Sequence, residues 1–275
     1  MIRLIRKWLK TGVMEDGTWA EAEVGTPQGS VISPLLINVY LHYRFDLWTE
    51  RWRHSEARGN VMCVRYADDI LAGFVHEEDA QQFQAEPRAR MDKFGLALHP
   101  DKTRLIESGS NAAQARSLCG LGKPETFDFL GFTHYCGRNR RGFFQLKRKS
   151  QRYRLRTKLK SLTAELRRRM HEPIPEQGRW LAQAVRSYFA YHAVLTNFRR
   201  LSAFRYHLGS LWLRTLRARS QKDRMTRVHL HQLTTDFLPS PRILHRWPET
   251  RFLVKRPRWK PSARIGPSRL CAGGV

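Results

Sequence analysis

Apolar and polar positions follow the helical period at the start of the chain, the strand period in the middle and the helical period again afterwards. Ile2, Leu4, Ile5, Trp8 and Leu9 are spaced like one face of a helix, with Arg3, Arg6, Lys7 and Lys10 elsewhere and Gly12 at its end. Residues 13–24, broken by Glu15-Asp16-Gly17, read as a hairpin. Beyond a Gly-Thr-Pro-Gln-Gly loop, Ser33 is placed to cap a helix and Pro34 to occupy its first position. Leu35, Leu36, Val39, Tyr40, Tyr43 and Leu47 predict the buried stripe of that helix. Residues 61–65 and 70–75 are short apolar runs rich in β-branched side chains, and they flank Tyr66-Ala67-Asp68-Asp69. This pattern predicts a β-hairpin with two acids at its tip.

Residues 77–94 predict a helix interrupted by Pro87, since an interior proline removes a hydrogen bond and costs roughly 3 kcal/mol. Either the helix breaks near Glu86 or the position is damaged. Residues 99–102 turn the chain into a short strand at 103–106, and 108–126 are polar and read as a loop. Residues 127–135 and 143–146 bracket 137–142, a hairpin with a basic tip. From residue 138 the character changes: Leu155, Leu159, Leu162 and Leu166 form a narrow apolar seam among cations. Trp180, Ala184, Tyr188 and Tyr191, then Phe204, Leu208, Leu211 and Thr215, give two further helical stripes parted near Asn197. Past Pro239 the chain is rich in Pro, Arg and Trp and predicts an extended basic tail, whose Trp247 and Trp259 could stack on bases or simply cover a neighbouring surface.

Charge sharpens this division. The 275 residues carry 50 Lys+Arg against 24 Asp+Glu, yet residues 1–137 are nearly balanced and the whole excess lies in 138–275. Positions 138–171 contain 14 basic residues and Glu165 as their one acid. So dense a positive block repels itself unless a polyanion neutralises it, and nucleic acid is the expected partner. The four cysteines show no C-x-x-C spacing and read as free thiols of a reducing compartment. Of the histidines, His229 and His231 form a close pair that fits a solvated helix face better than a zinc site. No apolar run reaches 18 residues, so no membrane partner is expected.

Asp68 and Asp69 have Arg65 as their one basic neighbour in sequence. Two adjacent carboxylates repel each other unless solvated or bridged by a divalent ion, and Mg²⁺ prefers such oxygen ligands. An ordinary Asp-Asp turn would show the same four residues. The block Gly25-Thr26-Pro27-Gln28-Gly29-Ser30, the tetrad Tyr66-Ala67-Asp68-Asp69, the Lys102-Thr103 pair and the run Phe127-Asp128-Phe129-Leu130-Gly131-Phe132 stand in that order. Together they resemble the palm of reverse transcriptases, most closely those encoded by bacterial group II introns. Arg199-Arg200-Leu201-Ser202-Ala203-Phe204-Arg205-Tyr206 and Leu211-Trp212 extend the resemblance into the thumb, or maturase, domain of that family. Ser30 departs from the family, which often has a second glycine there.

The resemblance implies an α+β fold. A partial reverse-transcriptase palm, antiparallel sheet with helices, would span 1–149, an α-helical thumb 150–238 and a basic tail 239–275. It implies RNA-directed DNA synthesis by two-metal nucleotidyl transfer, with Asp68 and Asp69 as catalytic metal ligands for two Mg²⁺ ions. Pro27, Gln28, Gly29, Tyr66 and Lys102 would contact nucleotide and template, and Leu130 and Gly131 the primer end. Arg152, Arg154, Arg156, Lys158 and Lys160 would hold RNA. The partners implied are group II intron RNA, a DNA target or primer and deoxynucleoside triphosphates, in a bacterial cytoplasm close to the nucleoid. The family also takes a carboxylate from a strand well upstream of the Pro-Gln-Gly loop, and no residue before Gly25 matches it. This reading makes the chain an N-terminally truncated relative, with a dimer mate or a complementing N-terminal fragment, the latter supplying the fingers, as the further partner expected. The alternative is a catalytically inactive maturase remnant that grips intron RNA and assists splicing.

Overall fold

Strand pairing across two tight turns and three long helices account for most of the order in this chain. The computed structural model describes residues 2–9, 13–15, 18–20, 32–219, 225–245 and 269–274, which divide into two compact units. One comprises residues 1–107 and 265–275, the other 108–264. The architecture is mixed, with small antiparallel sheets and several helices.

In the first unit, helix α1 covers Ile2–Leu9, and strands β1 (Val13–Glu15) and β2 (Thr18–Ala20) pair as the expected hairpin. Helix α2 spans Ser33–Leu41. Its cap position is Ile32, so Ser33 is the first helical residue and not the cap; Pro34 sits in the first turn, where its missing N–H costs nothing. A π-helical turn, His42–Asp46, joins α2 to α3 (Leu47–Ser55). Strands β3 (Val61–Tyr66) and β4 (Asp69–Phe74) form the predicted acidic-tipped hairpin, followed by α4 (Glu77–Asp92) and β5 (Arg104–Ile106). Beneath the hairpin Trp52, Phe74 and Phe83 meet at centroid distances of 5.0–6.1 Å, with Leu41, Phe45 and Met91 around them. Each such buried side chain contributes roughly 1.5–3 kcal/mol.

Two expectations fail here. The stripe proposed for α2 is not buried: Leu35, Val39, Tyr43 and Leu47 are exposed, and Leu41, Phe45 and Trp52 face the core instead. Apolar residues fall on every side of α2, so periodicity selects no face, and the π turn then shifts the register. Helix α4 also runs unbroken through Pro87. The ring is buried in line with Ala80, Phe83 and Met91, and its packing offsets the lost hydrogen bond.

The second unit opens with α5 (Ser110–Leu118), where a loop was expected. Three alanines and a buried contact at Ala112 favour a helix over the polar composition. The run 127–135 is not one strand: β6 (Phe127–Phe129) reverses at Leu130-Gly131 into β7 (Phe132–Arg138), which pairs with β8 (Phe144–Ser150). Helices α6 (Arg152–Arg168), α7 (Ile174–His192), α8 (Phe198–Arg217) and α9 (Arg227–Phe237) complete the unit. Leu155, Leu162 and Leu166 pack as the seam predicted, against Leu181, Val185, Phe204 and Leu208. Buried Gln177 accepts from Trp212 Nε1 at 2.9 Å and donates to the Arg169 carbonyl at 2.6 Å, so its burial leaves no polar atom without a partner. Gly178 and Gly209 let α9 approach: a β-carbon at either would meet the Phe237 ring at 2.5 Å or the Thr234 methyl at 2.9 Å.

The end of the tail is extended and is paired into the sheet of the first unit. Strand β9 (Arg269–Gly274) lies between β4 and β5, giving the antiparallel order β3-β4-β9-β5. Pairing with β9 satisfies the edge of β4.

Candidate active site

The acidic tetrad occupies a two-residue turn. Tyr66 pairs with Asp69 across the hairpin, leaving Ala67 and Asp68 to reverse the chain. Ala67 adopts φ 50°, a left-handed conformation that disfavours most side chains and that a small residue tolerates better. Asp68, Asp69 and Tyr66 are all exposed, Tyr66 to 65%. β4 is otherwise buried along its length, so the acids stand at the one wet end of a central strand.

Arg65, the basic residue beside them, is tied first to Asp46 and feels Asp68 only as a lesser electrostatic pull. Its Nε and Nη2 donate to the two oxygens of Asp46, each at 2.7 Å, while Nη1 donates to Asn38 Oδ1 at 2.8 Å and to the Ala67 carbonyl at 3.2 Å. This bidentate hydrogen bonding holds the Asp46 carboxyl below the usual carboxylate range. Neither Asp46 nor Asn38 was legible as part of the site, because the pair is formed only when the π turn meets β3. Asp68 and Asp69 make no ion pair with any described residue.

Two adjacent hard-oxygen donors that make no ion pair with a described residue suit Mg²⁺, which is commonly held by one or two carboxylates with water and substrate phosphates completing its shell. No cluster of three or more His, Cys, Asp or Glu that could hold a metal occurs among the described residues. Lys102 lies exposed at the end of a turn closed by its N–H to the His99 carbonyl at 3.2 Å. Pro27, Gln28 and Gly29 lie outside the described residues.

In the second unit, Leu130 and Gly131 take φ 48° and 78°, the signature of a tight hairpin turn of mirror-image type. Three contacts fix it. Tyr191 Oη donates to the Leu130 carbonyl at 2.7 Å, the Gln151 N–H donates to the Gly131 carbonyl at 3.2 Å, and the Phe132 and Tyr191 rings stack 5.6 Å apart. Gly131 lies under the Arg154 side chain, whose Nη1 would be 3.1 Å from an added β-carbon. Tyr191, the last member of the stripe read on α7, is half exposed and holds the turn. Arg152, Arg154, Arg156, Lys158 and Lys160 are all exposed on α6, and none makes an ion pair with a described residue. Glu165 is instead engaged by Arg168 and Arg169. His229 and His231 are exposed on α9, with His229 serving a capping box on Thr226. No helix among the described residues is long and apolar enough to cross a membrane.

Residues 1–134 match the family model described as "Reverse transcriptase (RNA-dependent DNA polymerase)". Among curated proteins, the chain is similar to an uncharacterized 91 kDa protein in a cob intron of Schizosaccharomyces pombe. That match is 51% identical over 159 residues, covering 39% of this chain and 20% of the relative. It is also 50% identical over 42 residues to the group II intron-encoded protein LtrA of Lactococcus lactis subsp. cremoris, covering 15% of this chain and 7% of that protein. Protein YkfC of Escherichia coli is 31% identical over 131 residues, 37% of this chain and 34% of its own length. The matched stretches therefore span about a third or less of each of these relatives.

Proposed function

We propose that this chain is a group II intron-encoded reverse transcriptase and maturase, carrying the part of the palm that ends in the acidic hairpin together with a helical, RNA-gripping thumb. The observation that carries this reading is the pair of exposed carboxylates at the β3–β4 turn, which make no ion pair with a described residue, inside the region that matches the reverse transcriptase model. Arg65 would otherwise cancel one of them, and its commitment to Asp46 keeps the turn net negative.

Asp68 and Asp69 are the residues that would hold Mg²⁺. The chemistry supplied by bound ions is activation of the primer 3′-oxygen and neutralisation of charge on the triphosphate and leaving pyrophosphate. Tyr66, exposed beside the acids, and Lys102 would contact the incoming nucleotide, with Pro27, Gln28 and Gly29 lining its pocket. The Leu130-Gly131 turn, fixed by Tyr191 and Gln151, would grip the primer end. Arg152, Arg156, Lys158 and Lys160 would neutralise RNA phosphates while the opposite face of α6 packs through its leucines.

A second reading, an RNA-binding splicing factor that does not polymerise, is favoured by a different observation. Arg152, Arg154, Arg156, Lys158 and Lys160 of α6 make no ion pair with a described residue whether or not the hairpin acids bind metal. Primer extension on an RNA template separates the two, using the purified chain, Mg²⁺ and four deoxynucleotides. DNA synthesis abolished in the Asp68→Ala, Asp69→Ala double variant is the expected result. Absence of synthesis from a folded chain that still binds RNA would establish the splicing-factor reading in its place.

A further inference from the structure

The tip of the β7–β8 hairpin is exposed without interruption over residues 138–144, and Phe143 there is 68% exposed. Arg138, Arg140 and Arg141 stand beside it, and the sequence holds no acid between Asp128 and Glu165. The tip is held in shape. Asn139 Oδ1 accepts the N–H groups of Arg141 at 2.9 Å and Phe143 at 3.0 Å, and the Asn139 N–H donates to the Phe143 carbonyl at 2.8 Å. Gly142, at φ 82°, completes the reversal. The base of the hairpin is anchored as well. The Thr196 hydroxyl both accepts from the Arg148 N–H and donates to its carbonyl, each at 2.9 Å, and Asn197 Oδ1 accepts from the Ser150 N–H at 2.9 Å.

Charge alone would suit any polyanion; the phenylalanine narrows the choice. A ring kept in water at the end of a fixed loop gains most from a flat apolar partner, and an unpaired base offers one. Duplex RNA keeps its base faces stacked on one another and presents phosphates and groove edges instead. We propose that the β7–β8 tip binds unpaired bases of RNA, with Phe143 stacking on a base and Arg138, Arg140 and Arg141 neutralising the flanking phosphates. This inference rests on the reading of the chain as an RNA-binding protein and adds a base-stacking element to the phosphate contacts of α6. Asn139 is a positioning residue: it orders the loop from which Phe143 projects.

The test is fluorescence anisotropy with the full chain, a labelled 12-nucleotide single-stranded RNA of mixed sequence and a blunt RNA duplex of equal length. Phe143→Ala is expected to weaken single-strand binding by about tenfold, in line with the loss of one stacked base, and to leave duplex binding within twofold. Phe143→Tyr keeps the ring and should bind like the parent chain, which guards against a folding defect in the alanine variant. Arg140→Gln with Arg141→Gln should lower the slope of log affinity against log salt by about two. Unchanged single-strand binding by Phe143→Ala, or equal losses on both RNAs, would overturn the stacking site while leaving the α6 contacts standing. A parent chain that bound neither RNA would overturn the RNA-binding reading itself.

Discussion

Arg65 grips Asp46 through two parallel hydrogen bonds of 2.7 Å, and this commitment leaves only a weaker electrostatic pull on Asp68, three residues further along the chain. The Arg65 side chain is 12% exposed and that of Asp46 about a third, so the pair is only partly shielded from solvent. The left-handed residue Ala67 lies between Arg65 and Asp68 in the chain, with its carbonyl 3.2 Å from the same guanidinium. A cation that could bind the acids is thereby made part of the scaffold that presents them.

Removing Asp46 should release that cation. Asp46→Ala is expected to destabilise the first unit by about 1.5–3 kcal/mol, the usual loss for hydrogen bonds to charged groups. It should also weaken Mn²⁺ or Mg²⁺ binding at Asp68 and Asp69, because Arg65 becomes free to compete. Denaturant melts and calorimetric metal titration read the two effects separately. Unchanged metal affinity would show that Arg65 has no bearing on the acids. Because the folded carboxyl titrates below its ordinary value, the pair's contribution is complete above the unfolded pKa near 3.9 and is lost as pH falls through the lowered one.

The second unit should lose stability on mild acidification. Burial, reinforced by Arg148, pushes His134 down to about 4, and burial with Arg154 does the same to His192. His134 stacks flat on Phe127 at 4.8 Å, and His192 lies against Tyr188 and Ser150, so neither has room for a hydrated imidazolium. The unfolded chain takes up both protons near pH 6.5, the folded chain near 4. Stability therefore falls as pH drops across that window, and the penalty from these two groups is complete below it. Urea midpoints followed by circular dichroism should decline from pH 7 to 4.5, and a His134→Gln, His192→Gln double variant should show a flatter profile.

The Leu130-Gly131 turn offers a third test. Gly131→Ala places a β-carbon in a left-handed residue and 3.1 Å from Arg154 Nη1, so a loss of roughly 1–2 kcal/mol is expected from the backbone alone. Tyr191→Phe removes the hydroxyl that donates to the Leu130 carbonyl but keeps the ring stacked on Phe132, and should cost about 1 kcal/mol. Under the proposed function both variants should lower primer extension more than they lower RNA binding, since the turn would contact the primer end and not the bulk of the RNA. Equal losses in the two assays would argue for a purely structural turn.

Local chemistry was legible wherever a residue's own neighbours in sequence decided the outcome. The acidic hairpin follows from two β-prone runs around a turn, and the α6 seam from leucines at helical spacing with cations between them. The exposed pair His229 and His231 likewise follows from the polar composition of α9. Where several faces or partners were equally compatible, sequence could not choose. α2 is apolar on every side, and only the aromatic cluster of Trp52, Phe74 and Phe83 selected Leu41 and Phe45 for burial. Pro87 looked like a break because its cost is local, whereas its compensation is packing against residues distant in sequence.

The sequence by itself determined that two carboxylates share a hairpin tip, that three leucine- and aromatic-rich helices pack together, and that the whole excess of positive charge lies beyond residue 137. Tertiary structure alone decided that Arg65 belongs to Asp46, that Tyr191 holds the Leu130-Gly131 turn, and that β9 enters the sheet between β4 and β5. The physical reason is range. Propensity, periodicity and turn chemistry act over a few residues and leave a mark in the order of amino acids. Ion pairs, long-range hydrogen bonds and strand insertion join residues from 19 to about 200 positions apart, and their partners are chosen by the geometry of the folded chain.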